Sequence, residues 1–408
     1  MPLRALYVDF NSYFASVEQQ LVPELRGRPV AVLPVLAETT CCIAASYEAK
    51  RLGIKTGTLV AEARRLSPEI QFVQARPSVY VEMHHRLVEA VESCLHVERV
   101  LSIDEMACRL GGRDQRHDNA VSLGHQIKRS IASRVGSELR CSIGIAPNTF
   151  LAKVASDMKK PDGLIVIEDA DLPACLYGLA LRDLCGIGRA MERRLHRHGI
   201  RTVQELCATS KSGLRAAWGS IEGERVFARL RGEELPDPAT QRSSVSHSHV
   251  LPPELRTPEA AYSVLHRLLQ KAAMRLRGYG CIAGSLQVKV KFRDHENWER
   301  QARFDSTSDT LVLLDALDRL WQDFAGQRLR RPQAVAIVLS RLAEAGQRAR
   351  SLFDEHRSHD QLNAVIDSVN LRYGRNALYF GGAHGALQAA PMRIAFNHIP
   401  DLRTEDDD

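Results

Sequence analysis

Ala5-Leu6-Tyr7-Val8-Asp9-Phe10-Asn11-Ser12-Tyr13-Phe14 is the stretch on which the reading of this chain turns. An apolar run of strand length ends on a carboxylate and passes directly into Ala15-Ser16-Val17-Glu18, which reads as the first turn of a helix. The free N–H groups of such a turn can cradle an anion. A carboxylate beside an anion site suggests a metal-bound phosphate ester, whereas a strand-ending Asp alone is more simply a helix N-cap. A second run, Val100-Leu101-Ser102-Ile103-Asp104-Glu105, supplies two more carboxylates. Adjacent strand residues face opposite sides of a sheet, so Asp104 and Glu105 can serve one site only from a turn or bulge. The pattern therefore predicts a hairpin tip at this point.

Tyr7 to Glu18, Ala45-Ser46-Tyr47-Glu48-Ala49-Lys50, Ser102-Ile103-Asp104-Glu105, and Ser142-Ile143-Gly144-Ile145-Ala146 followed by Lys160-Pro161 occur in this order. Together they resemble Y-family translesion DNA polymerases, the bacterial branches most of all, over roughly residues 1 to 345. The resemblance implies an α+β multidomain, right-hand polymerase. Its palm would be a βαββαβ-type sheet over 1–17 and 77–168, with small fingers at 18–76. A helical thumb with a helix-hairpin-helix would follow at 169–231, a linker at 232–244, a βαββαβ little finger at 245–343 and a tail at 344–408. The implied activity is template-directed, error-prone addition of deoxynucleoside triphosphates to primer-template DNA in damage tolerance, with two Mg²⁺ ions as cofactor. Asp9 and Asp104 would bridge the ions, Glu105 would complete the shell, and the Phe10 backbone carbonyl would be a further ligand. Tyr13, Phe14, Tyr47, Lys50 and Lys160 would contact the nucleotide, with Phe14 the steric gate against a 2′-hydroxyl and Tyr13 its competitor. Many relatives have Arg where this chain has Lys50, which implies a point-charge contact and leaves Arg51 as the alternative.

Composition agrees with such a protein. A chain of 408 residues with 44% hydrophobic residues can bury the cores of two or three domains. No apolar run approaches the ~20 residues of a membrane span, and the N-terminus lacks a signal-peptide pattern, so the expectation is a cytosolic protein. Nine cysteines without a C-x-x-C pair read as reduced thiols. A net charge of +6 permits nucleic-acid binding, and its placement matters more than its size.

Along the chain, Val79 to Val97 carries apolar residues at helical spacing and reads as scaffold, with His84 and His85 taken as a solvated surface pair. In Asn148 to Pro161, either Lys159 or Lys160 could turn toward the triphosphate. Gly186-Ile187-Gly188-Arg189 reads as the glycine turn between two helices, where backbone can approach a DNA phosphate and Arg189 can assist. In Val288-Lys289-Val290-Lys291-Phe292-Arg293 the period of two buries Val288, Val290 and Phe292 and aligns Lys289, Lys291 and Arg293, a row of one sign suited to a phosphate backbone. Arg348-Ala349-Arg350-Ser351-Leu352-Phe353 partly matches a sliding-clamp peptide, with Leu352 and Phe353 as anchors, and Leu362 to Val369 reads as an amphipathic helix. Two rivals remain at this level. A noncatalytic scaffold of the same family would not need the three carboxylates, and a palm-type nucleotide cyclase would need neither the glycine turn nor the cationic second module.

Overall fold

Ala5–Phe10 forms β1, and all six residues are buried, which explains why the strand reads as a continuous apolar run. The computed structural model describes residues 1–38, 40–236, 242–292, 296–324, 330–347, 357–374, 376–389, 391, 394 and 399–400. These fall into two compact units, Met1–Asp237 with Ile394–Ile399, and Pro238–Arg393 with Pro400–Asp408.

In the first unit β1 leads into α1 (Tyr13–Leu21). A small sheet follows, in which β2 (Val30–Leu33) lies between β3 (Ala44–Ala45) and β4 (Gln71–Gln74), with α2 (Tyr47–Arg51) and α3 (Val60–Leu66) between those two strands. The chain then returns through α4 (Pro77–Glu92), β5 (Val97–Ser102), β6 (Glu105–Arg109), α5 (His117–Arg134), β7 (Cys141–Ala146), α6 (Thr149–Met158) and β8 (Leu164–Val166). The main sheet runs β5-β6-β1-β7-β8, so β1 is central and antiparallel to both neighbours. The expected hairpin tip is present: Ser102 pairs with Glu105 across a turn made by Ile103 and Asp104.

Gly144 sits opposite Tyr7 on β7, and a Cβ there would lie 1.9 Å from the Ala152 carbonyl oxygen. Only glycine lets α6 press this closely on the sheet, and that approach carries Lys153 of α6, and Lys160 just beyond its C-cap, over the end of β1. The same core continues into α7 (Arg189–Arg197), α8 (Val203–Ala208), α9 (Lys211–Trp218) and α10 (Glu222–Arg229), through Leu184, Ile187, Leu195, Leu206 and Leu214. The segment before the glycine turn is a 3₁₀ turn, Leu181–Asp183, where the sequence suggested an α-helix. Gly186 has φ +84, a conformation open to glycine, and Gly188 is the N-cap of α7 with Arg189 as its first residue.

The second unit is an antiparallel sheet in the order β11-β10-β12-β9, from β9 (Ser244–Val250), β10 (Cys281–Phe292), β11 (Asn297–Thr307) and β12 (Pro332–Glu344). Helices α11 (Pro258–Gly278) and α12 (Thr310–Gln322) share its core. Val288, Val290 and Phe292 are buried as their alternation requires. The row on the other face is not of one sign, because β11 brings Glu299 opposite Lys289 at 3.2 Å. Arg293 lies outside the described residues, as do Leu352 and Phe353. The tail helix α13 (Arg357–Tyr373) joins this unit by polar contacts: Asp367 pairs with Arg277 at 2.6 Å, and Asn363 donates to the buried Asp309 carboxylate. Its apolar residues Leu362, Val365 and Tyr373 are exposed, so the helix is attached by its polar edge. All nine cysteines are free thiols, and no helix among the described residues is long and apolar enough to cross a membrane.

Candidate active site

Asp9 is the fifth residue of β1, and the sheet register puts it directly opposite Glu105, the first residue of β6. The Phe10 N–H donates to the Asp104 carbonyl at 2.8 Å, which fixes the hairpin tip against the end of β1. Strand alternation alone would send Asp104 and Glu105 to opposite faces. The turn overrides it, and all three carboxylates line one recess of 390 Å³. Asp9 is only 5% exposed. Burial raises the Asp104 carboxyl above its usual range, and the neighbouring Asp9 and Glu105 charges push the same way, while a 2.6 Å hydrogen bond from Ser102 Oγ opposes them.

Cations answer these charges. Lys153 Nζ lies 2.5 Å from Asp9 Oδ2, 2.8 Å from Glu105 Oε1 and 3.1 Å from Asp157 Oδ2. Lys160 Nζ lies 2.7 Å from Asp9 Oδ1 and 2.8 Å from Asp157 Oδ1. Both lysines are held firmly protonated, since the attraction of Asp9 outweighs burial. Of the two lysines the sequence left open, Lys160 enters the recess, while Lys159 caps α6 and its carbonyl accepts from Ser142. Lys153 escaped the sequence reading. Its signal was available: Lys153, Asp157 and Lys160 recur at four and three residues, one helical face leading to the proline.

The opposite wall comes from α1 and α2. Tyr47 and Lys50 line the recess, with Lys50 Nζ 4.6 Å from the Tyr47 ring centre. Burial and the Lys160 charge lower the Lys50 ammonium from its usual value. Phe14 and Tyr13 also line the recess. The Phe14 ring stacks on Tyr80 at 4.6 Å, whereas Tyr13 is buried and its hydroxyl donates to the Tyr80 carbonyl. Tyr80 is itself fixed by donating to Glu18, a buried carboxylate gripped also by Arg76. His84 is not a surface residue: it is 2% exposed and its Nδ1–H donates to the Ile103 carbonyl at 2.7 Å, bracing the hairpin tip from below.

The donor set suits a hard divalent cation in kind, being all carboxylate oxygen. The buried Ser12 hydroxyl, at a left-handed backbone position with φ 51, lines the same recess without a hydrogen-bond partner. Among the described residues no three acidic, His or Cys groups close on a common point in this arrangement. The lysines stand between the carboxylates.

Solved structures share this fold. A Y-family DNA polymerase chimera of Dbh and Dpo4 matches with a TM-score of 0.70 at 23% identity, covering 84% of this chain and 99% of that one. An insertion ternary complex of Dbh DNA polymerase matches with a TM-score of 0.55 at 22% identity, covering 84% of this chain and 99% of that one. These likenesses, at 22–23% identity, establish the fold. The impB/mucB/samB family profile matches residues 8–157, its C-terminal domain 242–352, and a DNA polymerase-iota thumb domain 182–234. Among curated relatives, DNA polymerase IV of Moorella thermoacetica is 32% identical over 92% of this chain and 94% of its own length. DNA polymerase IV of Bacillus anthracis is 30% identical over 92% of each. The chain belongs to the Y family of translesion DNA polymerases.

Proposed function

We propose that this polymerase extends a primer 3′ end opposite damaged template bases, with low fidelity, by phosphoryl transfer that depends on two Mg²⁺ ions. The observation that carries the reading is that Asp9 at the end of β1 and Asp104 and Glu105 at the β5–β6 hairpin tip line one recess that also receives Lys50 and Lys160. Asp9, Asp104, Glu105 and the Phe10 carbonyl would hold the metal. When bound, Mg²⁺ would supply neutralisation of the triphosphate and a more acidic primer hydroxyl. Lys160 and Lys50 would balance phosphate charge from opposite walls, and Tyr47 would orient it by hydrogen bonding. Phe14, held flat by Tyr80, would close off the space of a 2′-hydroxyl. The N-terminal N–H groups of α7, reached through Gly186 and Gly188, together with Arg189, suit the DNA backbone without reading sequence. Lys289 and Lys291 on the open face of β10 suit it likewise.

The palm, fingers, thumb and little finger boundaries given above are the working division, as is a clamp contact through Leu352 and Phe353. Primer extension on intact and lesion-bearing templates tests the reading. The parent should extend past a lesion with Mg²⁺, and Asp104→Ala should extend at less than about 1% of the parent rate while retaining DNA affinity. Extension by that variant near the parent rate would overturn the carboxylate assignment.

A further inference from the structure

Asp9 has no oxygen clear of an ammonium: Oδ2 is taken by Lys153 and Oδ1 by Lys160. A metal bound by Asp9 therefore competes with two ammonium groups for the same oxygens, and the two lysines are not equivalent. Lys160 bridges Asp9 to Asp157 and stands where the proposed function gives it a phosphate to neutralise. Lys153 bridges the two strands, joining Asp9 to Glu105, which the register holds face to face. Opposed carboxylates on paired strands repel unless a cation lies between them.

We propose that Lys153 is an internal counter-cation: it occupies the carboxylate site when no metal is bound and yields that place to the metal by swinging onto Asp157. This rests on the metal-binding reading above. The path is short. Asp157 is four residues on along α6, already 3.1 Å from Lys153 Nζ, so the swing needs side-chain rotation and no movement of the helix. The helix could not move readily, because it is pressed on Gly144. Lysine suits the part better than arginine, since a compact ammonium with three donors can meet Asp9, Glu105 and Asp157 together and change partners on a flexible stem. Asp104, the carboxylate that Lys153 does not reach, is instead paired with Ser102. The consequence is a site whose metal-free form is held together by the residue that opposes metal entry.

Removing Lys153 should then move stability and metal affinity in opposite directions. The experiment is Mn²⁺ binding by electron paramagnetic resonance on the full chain without DNA or nucleotide, with thermal unfolding in EDTA alongside. Lys153→Met should bind Mn²⁺ about fivefold to tenfold more tightly than the parent and unfold at lower temperature in EDTA. Lys153→Gln, polar and similar in length, carries the same expectation should the Met variant fold poorly. Asp157→Asn should weaken Mn²⁺ binding in the parent and have little effect in the Lys153→Met background, a non-additivity that a purely electrostatic role for Asp157 would not produce. Unchanged or weaker Mn²⁺ binding on loss of Lys153, or an equal Asp157→Asn effect in both backgrounds, would overturn the inference. The metal reading itself is judged separately, since parent binding must be saturable and lost in Asp104→Asn; if it is not, both fall.

Discussion

The sheets around β1 and β10 are built alike and use their charges in opposite ways. In each, a central strand lies between antiparallel neighbours, but helices cover both faces of the first sheet, α6 against Gly144 and α5 against Ile143, and only one face of the second. Around β1 the charged residues gather at the strand end, partly buried around a nearly fully buried Asp9, and are linked through Asp9 and Lys153, each of which touches more than one partner. Around β10 they are laid along the open face, with Lys289 paired to Glu299, Lys291 exposed, and Ser248 and Ala336 across from Lys289 on neighbouring strands. A converged site stands or falls with single residues, whereas a spread one should lose function by increments.

Substitutions can break this contrast. At the converged end, Asp9→Asn should cut nucleotide addition at least about a hundredfold, read by single-turnover primer extension, with thermal stability lowered because Lys153 and Lys160 lose their shared partner. Phe14→Ala should raise the ratio of ribonucleotide to deoxynucleotide incorporation efficiency by tenfold or more on the order of a lost steric clash. An unchanged ratio with both activities lowered would make Phe14 a packing residue whose loss costs about 3 to 5 kcal/mol.

Beneath the hairpin tip, His84 gives a pH test of the converged end. Burial lowers its imidazole to about 4, against an unfolded value of 6.5, so protonation favours the unfolded chain. Its contribution is complete above pH about 6.5 and falls as pH drops toward 4, by about 3 kcal/mol over that window. The unfolding midpoint of the parent should therefore decline more steeply through this range than that of His84→Gln. Parallel curves would remove His84 as the brace.

At the spread end the expected effect is smallest. Neutralising Lys289 and Lys291 together should lower the magnitude of the slope of log affinity against log salt by at most about two units. Each single change should give no more than about half of that. Lys289 should contribute less than Lys291, because Glu299 already compensates it. A single substitution that abolished DNA binding would refute the graded picture.

Much of this was legible in the residues. Asp9 at the end of an apolar run and the adjacent pair Asp104-Glu105 required a strand end and a hairpin tip, and period two in Val288 to Phe292 assigned the buried face of β10. These are local consequences of backbone geometry, fixed by covalent spacing whatever the rest of the chain does. Only the folded chain chose Lys160 over Lys159, brought Lys153 between Asp9 and Glu105, buried His84 under Ile103, set Glu299 beside Lys289 and attached α13 by its polar edge. Each depends on a register or a helix approach between segments distant in sequence. In the closest case Gly144, far along the chain from Lys153's partner Asp9, decides how near α6 can come. Spacing along the chain carries no information about such meetings, because they are settled by which surfaces close on one another and which charges must be answered once water has left.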